Sequence, residues 1–142
     1  MKKNYIYILL LSVVVSLSSC FDDNETAYEG PLQVEFPLAT KTVIVGSAAK
    51  VDSIKVQLIG PQQAAPLEGK FKVVEGTTAI EGTSYTFATA GKFTVAANSS
   101  FGYIVVNLPK SGSSSVLKLE LEDSDKLKAA SNYKKLTYNI KP

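Results

Sequence analysis

The chain has 142 residues and nearly balanced charge, with 15 basic against 13 acidic side chains and a formal net charge of +2. All the basic residues are lysines, and histidine, arginine and tryptophan are absent. This composition excludes a Ser-His or Cys-His nucleophile, an imidazole metal site and an arginine clamp for phosphate. It also leaves no net basic field for binding nucleic acid.

The first 19 residues have the pattern of a secretory leader. Two lysines near the start are followed by a largely apolar, uncharged run over residues 5–17 and then by two serines. A membrane-spanning helix is the alternative, but it needs about 20 apolar residues, whereas this run ends at a cysteine followed by acids. We therefore predict a cleaved signal peptide over residues 1–19. Its removal takes two lysines and leaves 13 lysines against 13 acids.

Cys20 is the only cysteine in the chain. With the three residues before it, Leu17-Ser18-Ser19-Cys20, it resembles the bacterial lipobox, whose cysteine is acylated and becomes the first residue of the mature protein. An unpaired thiol after ordinary cleavage is the alternative interpretation. The resemblance implies that Cys20 carries acyl chains such as palmitate, and two or more chains anchor a protein stably without spanning the membrane.

An acidic segment follows the cysteine and includes Asp22 and Asp23. These two residues resemble the export signal of surface lipoproteins in the Bacteroidota, which implies an outer-membrane protein facing the cell exterior. A solvated tether kept extended by its charge is the other interpretation, and the two are compatible. We predict a lipidated tether over residues 20–30 and one folded domain over residues 31–142.

From Pro31 onward the dominant hydrophobic period is two, which is typical of half-buried strands. Eight strands are predicted, at residues 32–36, 41–45, 51–59, 70–75, 92–96, 103–108, 117–121 and 136–140. In the fourth strand Phe71 and Val73 are expected to point inward, and the largely apolar sixth strand is expected to lie centrally in its sheet. Only residues 124–131 have the pattern of a helical turn, with Ser124 as its cap. The pattern predicts an all-β fold, an antiparallel immunoglobulin-like β-sandwich.

The stretch Ala79-Ile80-Glu81-Gly82-Thr83-Ser84-Tyr85 lies between two of these strands. It resembles the Gly-Thr-Asp-Tyr turn of a Calx-beta module, and the strands around it occur in the matching order over residues 31–140. The resemblance implies an immunoglobulin-like fold, and the implied relatives are small Bacteroidota surface lipoproteins of often unassigned function. Gly82 is expected at a structural turn where a side chain would clash. Tyr85 is expected at a corner, with its ring buried and its hydroxyl bonded to backbone.

Calx-beta domains of the exchanger type bind calcium through clustered carboxylates, and this sequence departs from that pattern twice. The motif's Asp is Ser84, and Ser113-Ser114-Ser115 stand where the family has acids before a late strand. The acids that remain nearby are Glu120, Glu122, Asp123 and Asp125. We interpret them as the solvated face of a strand rather than as a calcium site or a glycosidase carboxylate pair. The sequence therefore assigns no metal ligand, cofactor-binding residue or catalytic residue.

The function favoured by the sequence is a non-catalytic, surface-anchored binding or assembly module, working beside a polysaccharide-uptake or adhesion system. A calcium-stabilised adhesion domain is the alternative, whereas an exported hydrolase lacks a recognisable nucleophile and base. The expected partners are the membrane, through the lipid on Cys20, and a glycan or another surface protein. Tyr28, Tyr103 and Tyr133 are the candidate platforms for a sugar, and core or edge positions are the alternative for these tyrosines.

Overall fold

The computed structural model of the protein describes residues 28–110 and 112–142. The predicted signal peptide, the lipidation site Cys20 and the export residues Asp22 and Asp23 lie outside the described residues. Within the described part of the chain, no helix is long and apolar enough to cross a membrane.

The described residues form ten β-strands and no helix. The strands are β1 (Gln33–Glu35), β2 (Thr40–Ile44), β3 (Lys50–Ile59), β4 (Leu67–Val73), β5 (Thr86–Phe87), β6 (Lys92–Val95), β7 (Phe101–Leu108), β8 (Ser115–Glu122), β9 (Lys128–Ala129) and β10 (Lys135–Lys141). Eight of them lie where the alternation predicts strands, which confirms the all-β, immunoglobulin-like prediction. The two additional strands, β5 and β9, have two residues each, which is too short for an alternation to be visible.

The strands follow one another in a single hydrogen-bonded sheet, in the order β2-β10-β8-β4-β6-β7-β3-β1-β9, with β5 pairing to β7. Strand β1 lies near one edge of this sheet and β2 forms the other edge, yet only residues 36–39 connect them. Such a link reaches at most about 18 Å, so the two edges must lie side by side. The sheet is therefore curled into a sandwich around one core.

All but two of the pairings between described strands are antiparallel, and the two exceptions are at the sheet edges. Strand β2 runs parallel to β10, and β9 runs parallel to β1. The curled sheet is thus mainly antiparallel, as predicted, with parallel pairs at its two edges. The prediction that the strand at 103–108 is central is confirmed, since β7 pairs with β3, β5 and β6.

The helical turn predicted over residues 124–131 is wrong, because this segment contains β9. The amides of Lys128 and Ala130 donate to the carbonyls of Leu32 and Val34, which makes the segment an edge partner of β1. Ser124 does not cap a helix, and its hydroxyl donates to the Glu68 carbonyl at 3.2 Å. Pairing with a strand almost 100 residues earlier in the chain outweighs the weak helical pattern of a short segment.

The core is a single apolar cluster that runs from Val34 to Ile140 and takes inward-facing side chains from most of the strands. In β4 the residues Leu67, Gly69 and Phe71 are buried, as the alternation requires. Val73, the last residue of the strand, continues the alternation but is 38% exposed, contrary to the prediction, although its register partner Leu119 is buried. The buried residues of this core lie between Val34 and Ile140.

The tether joins the domain at one end of the sandwich. Tyr28 lies there against Gly60, where a Cβ would come within 3.2 Å of the tyrosine ring, and its hydroxyl donates to the Pro31 carbonyl at 2.7 Å. We call this the tether end; it also holds the links β3–β4 and β6–β7. The links β2–β3, β4–β5 and β7–β8 lie at the opposite end.

Candidate binding groove around Tyr103

An open groove of about 250 Å³ runs along the outer face of β4, β6 and β7. Tyr103 stands on one side of it at 51% exposure. The lining residues are Glu68, Ala88, Thr89, Lys92, Phe93, Thr94, Tyr103 and Val105. We call this feature the Tyr103 groove.

Strand β6 carries three of the lining residues, and the ring of one of them, Phe93, packs against both neighbouring strands. This ring points into the core and lies directly over Gly69 of β4, where any Cβ would overlap it. On the other side, a Cβ at Gly102 of β7 would lie 2.8 Å from the Thr94 carbonyl oxygen and 3.0 Å from the Phe93 ring. The two glycines therefore let β6 approach both neighbours closely, and this fixes Lys92 and Thr94 on the outer face beside Tyr103.

The charges in the Tyr103 groove neutralise each other. Lys92 and Glu68 form an ion pair at 2.9 Å across β6 and β4. Both side chains are about half exposed, so the pair contributes little to stability. The pair places a hydrogen-bond acceptor next to a donor on the rim of the groove.

A second aromatic ring on this face is covered. Lys55, which lies opposite Tyr103 on β3, places its Nζ atom 3.4 Å from the centroid of the Phe101 ring. This is a cation–π contact. Tyr103 is therefore left as the open ring of the groove.

The four acids at the end of β8 do not converge on one point. Glu120 pairs with Lys134 at 2.9 Å, Glu122 with Lys72 at 3.0 Å, and Asp123 with Lys128 at 3.1 Å. Within the described residues there is no group of three or more candidate metal-binding side chains.

These contacts also change the ionisation of the groups involved. The hydrogen bond from Lys134 lowers the pKa of Glu120, and the backbone amide of Ala129, followed by Lys128, lowers that of Asp123. The hydrogen bond to Glu122 raises the pKa of Lys72. The carboxylates of Glu120 and Asp123 are thus stabilised in their charged form by a cation or a donor that belongs to the protein itself.

Gly82 and Tyr85, the residues of the proposed structural turn, lie at the end of the sandwich opposite the tether. Gly82 has φ +82°, a region that L side chains rarely adopt, and its amide donates to the Tyr85 carbonyl at 2.8 Å. A Cβ there would meet nothing within 4 Å, so the need for glycine is conformational, and the clash expected from the sequence is not present.

The ring of Tyr85 is buried and packs edge-on against Phe87 at 5.1 Å between centroids. Burial, followed by the charge of Glu81, raises the pKa of Tyr85. Among the described residues, no hydrogen bond links its hydroxyl to backbone, in contrast to the corner geometry expected from the sequence.

A polar network that the sequence does not predict joins β2, β3 and β10. The hydroxyl of Tyr138, on β10, donates to Asp52 on β3 at 2.6 Å, and Lys41 on β2 pairs with the same carboxylate at 2.7 Å. Lys41 also donates to the Ser53 carbonyl at 2.7 Å. The sequence does indicate that Asp52 faces inward, because it alternates in step with the inward-facing residues of β3.

The network shifts the ionisation of both partners. Burial by itself would raise the pKa of Asp52, but the hydrogen bonds from Lys41 and Tyr138 and the charge of Lys41 outweigh it and lower that pKa. Burial, and then the neighbouring carboxylate, raise the pKa of Tyr138. The network ties the two halves of the curled sheet together and has no open side chain to offer a ligand.

The other two candidate tyrosines, Tyr28 and Tyr133, are also exposed. Tyr28 lies over Gly30 and Gly60 at the tether end. Tyr133 is 56% exposed on the turn before β10, and its backbone carbonyl accepts from the amide of Phe36. Of the three, Tyr103 alone lines one of the grooves found among the described residues.

Neither a protein-family model nor a curated protein matches the sequence. Several solved structures do match this chain. The crystal structure of the apo-form Calx CBD1 domain superimposes with a TM-score of 0.58 at 15% identity, covering 79% of this chain and 97% of that one. The fold is Calx-beta-like. A second similar structure is the calcium binding domain CBD12 of CALX1.1, with a TM-score of 0.59 at 15% identity, covering 77% of this chain and 44% of that one.

A third similar structure is Bacteroides thetaiotamicron EndoBT-3987 with Man5GlcNAc product. It matches with a TM-score of 0.54 at 16% identity, over 78% of this chain and 30% of that one. At such identities these similarities establish an immunoglobulin-like fold and say nothing about what the chain binds.

Proposed function

We propose that this protein is a non-catalytic binding module, anchored in the outer membrane by a lipid on Cys20 and displayed on the cell surface. The anchor is supported by the sequence Leu17-Ser18-Ser19-Cys20, and the surface address by Asp22 and Asp23. The Calx-beta-like fold is compatible with such a module.

The observation that carries the binding role is the composition of the Tyr103 groove. It offers an open aromatic ring beside polar side chains, as ligand sites do. Its single carboxylate, Glu68, is paired with Lys92 at 2.9 Å. Glycoside hydrolysis needs two carboxyl groups on opposite sides of the scissile bond, so this groove supports binding rather than cleavage.

A calcium-stabilised adhesion domain is the second candidate, because one of the similar structures is named a calcium binding domain. The ion pairs of Glu120, Glu122 and Asp123 with lysines weigh against it. A calcium ion needs six to eight oxygens, and it would have to displace three lysines to use these carboxylates.

Metabolic labelling with a fatty-acid analogue tests the anchor. Cells producing the wild-type protein should yield a labelled band in the membrane fraction, and Cys20→Ala should yield an unlabelled precursor or a soluble product. Ser18→Ala, which keeps a small residue before the cysteine, is the matched control and should be labelled. An unlabelled wild-type protein would contradict the anchor.

A further inference from the structure

We infer that the ligand of the Tyr103 groove is a neutral oligosaccharide, one sugar ring of which stacks on the open face of Tyr103. The inference rests on the proposed binding role and names the chemical class of the ligand. Three properties of the groove lead to it: the number of open rings, the polar groups on the rim, and the charge.

The groove presents one aromatic face of limited size. Phe93 is buried in the core, and Phe101 is covered by the Lys55 ammonium group 3.4 Å from its centroid. Only Tyr103 is open, at 51% exposure. A pyranose ring has one face of C–H groups that packs on such a ring, because the aromatic face carries partial negative charge. The volume of about 250 Å³ is below the range of drug-sized pockets and suits one ring of a longer chain.

The rim offers hydrogen bonds that match sugar hydroxyl groups. Within the described part of the chain, the hydroxyls of Thr89 and Thr94 have no hydrogen-bond partner, although both line the groove. Each hydroxyl both donates and accepts, as a sugar hydroxyl does. The ion pair of Glu68 and Lys92 adds a carboxylate acceptor and an ammonium donor to the rim.

The charge of the groove favours a neutral ligand. Glu68 and Lys92 cancel, and they are the charged residues that line the groove. Lys55 lies on the β3 side of Tyr103, whereas the groove lies on the β6 side. Lys70 lies opposite Lys92 on β4 but does not line the groove. The lining residues therefore carry no net charge that would attract an anionic glycan.

A protein partner fits this surface less well. Stable protein interfaces bury about 800 Å² on each side around an apolar centre. The most exposed aliphatic side chains, Ile44, Val51 and Ile80, are outside the groove. Around Tyr103 the neighbours are mostly threonine, lysine and glutamate, which favour a hydroxyl-rich ligand.

The test is an array of neutral and anionic oligosaccharides probed with the purified full-length protein in detergent, followed by titration of the best neutral ligand. Wild type, Tyr103→Ala, Tyr103→Phe and the matched control Tyr133→Ala are compared, each with its melting temperature as a check of folding. Tyr133→Ala removes a ring that is equally exposed but outside the groove.

We expect the wild-type protein, Tyr103→Phe and Tyr133→Ala to bind the same neutral glycans. Their affinity should be unchanged between 50 and 500 mM salt, because dissolved ions screen interactions between charges and leave contacts with an uncharged ligand intact. Tyr103→Ala should lose at least about tenfold in affinity while remaining folded. Thr94→Val should weaken binding by a smaller factor.

Three results would overturn the inference: no neutral glycan bound by the wild-type protein, binding unaffected by Tyr103→Ala, or binding confined to anionic glycans and lost at 500 mM salt. None of them bears on fatty-acid labelling of Cys20, so a failed glycan assignment is distinguishable from a failed anchor. Conversely, an unlabelled Cys20 would leave the array result unchanged.

Discussion

At the scale of single residues, the most informative group is Asp52, a carboxylate on the inward face of a strand. Its partners Tyr138 and Lys41 are 86 and 11 positions away in the sequence, so no local pattern connects them. The alternation of β3 predicts that Asp52 faces inward, but only the curled sheet shows that a tyrosine hydroxyl and a lysine contact it there. Gly82 is a related example, because the sequence predicts its turn but not that the surrounding space is open.

Replacing Asp52 by Asn should destabilise the protein at pH 7 by about 1–2 kcal/mol, because it removes the charge that Lys41 and Tyr138 stabilise. The side chains of Asp52 and Lys41 are 19% and 30% exposed, so solvent screening keeps the cost below that of a fully buried pair. Urea unfolding of the wild type and of Asp52→Asn measures the difference.

The same pair of proteins gives a pH dependence. The pKa of Asp52 is lowered in the folded state, so its contribution is complete above the unfolded-state pKa of about 3.9 and is lost as the pH falls through the lower folded-state pKa. The stability difference between wild type and Asp52→Asn should therefore shrink below about pH 4. Asp125→Asn is the control, because this carboxylate is exposed and has no ion pair among the described residues. Its unfolding free energy should stay close to that of the wild type at each pH. A difference that stays constant down to pH 2 would show that the charge of Asp52 is not what stabilises the fold.

At the scale of elements, the sequence predicts strands well where the alternation is long and poorly where pairing alone makes a strand. The ten residues of β3 and the eight of β8 alternate clearly. Strands β5 and β9 exist because their backbones meet β7 and β1, which are distant in the sequence. For the same reason the parallel edge pairs could not be predicted, since the order of strands depends on how the sheet closes.

The Tyr103 groove was predicted in part. Tyr103 was one of three candidate tyrosines, and its outward direction follows from the alternation of β7. The sequence does not assign Glu68, Lys92 and Thr94 to it, because they come together only when β6 pairs with β4 and β7. The Phe93 ring then lies against Gly69 and Gly102. The sequence contains these glycines but gives no sign of which ring lies over them.

Gly69→Ala tests this contact. A Cβ at position 69 would overlap the Phe93 ring, and overpacking of a core typically costs about 1–3 kcal/mol. Gly112→Ala is the matched control, since a Cβ there would meet nothing within 4 Å, and its effect should stay within about 0.5 kcal/mol. Both values come from urea unfolding. Equal stability of the two variants would mean that Phe93 has room to move and does not hold β6 in place.

The acids of β8 make a further prediction at this scale. Glu120, Glu122 and Asp123 are paired with lysines. We therefore expect the same melting temperature in EDTA and in 1 mM calcium, a concentration on the order of the Kd of the weakest extracellular calcium sites. Titration calorimetry should show no binding isotherm. A micromolar isotherm that Asp123→Asn together with Asp125→Asn abolishes would establish a calcium site that the ion pairs conceal.

At the scale of the whole molecule, the described residues place the tether end and Tyr103 on different parts of the sandwich. The tether joins at the end that holds the β3–β4 and β6–β7 links, whereas Tyr103 lies on the side of the sandwich, in the eight-residue strand β7. The segment 20–30 is the one part of the mature chain predicted to be an extended tether, which makes it the expected site of protease attack.

Protease treatment of intact cells tests the central proposal most directly. If the mature protein faces the cell exterior, added proteinase K should cut the tether and release the folded domain from wild-type cells without permeabilisation. The double variant Asp22→Ala with Asp23→Ala should still be labelled by the fatty-acid analogue but stay protected until the outer membrane is opened. A labelled wild-type protein that is protected on intact cells, and cut only after permeabilisation, would contradict the account of a surface-displayed binding module.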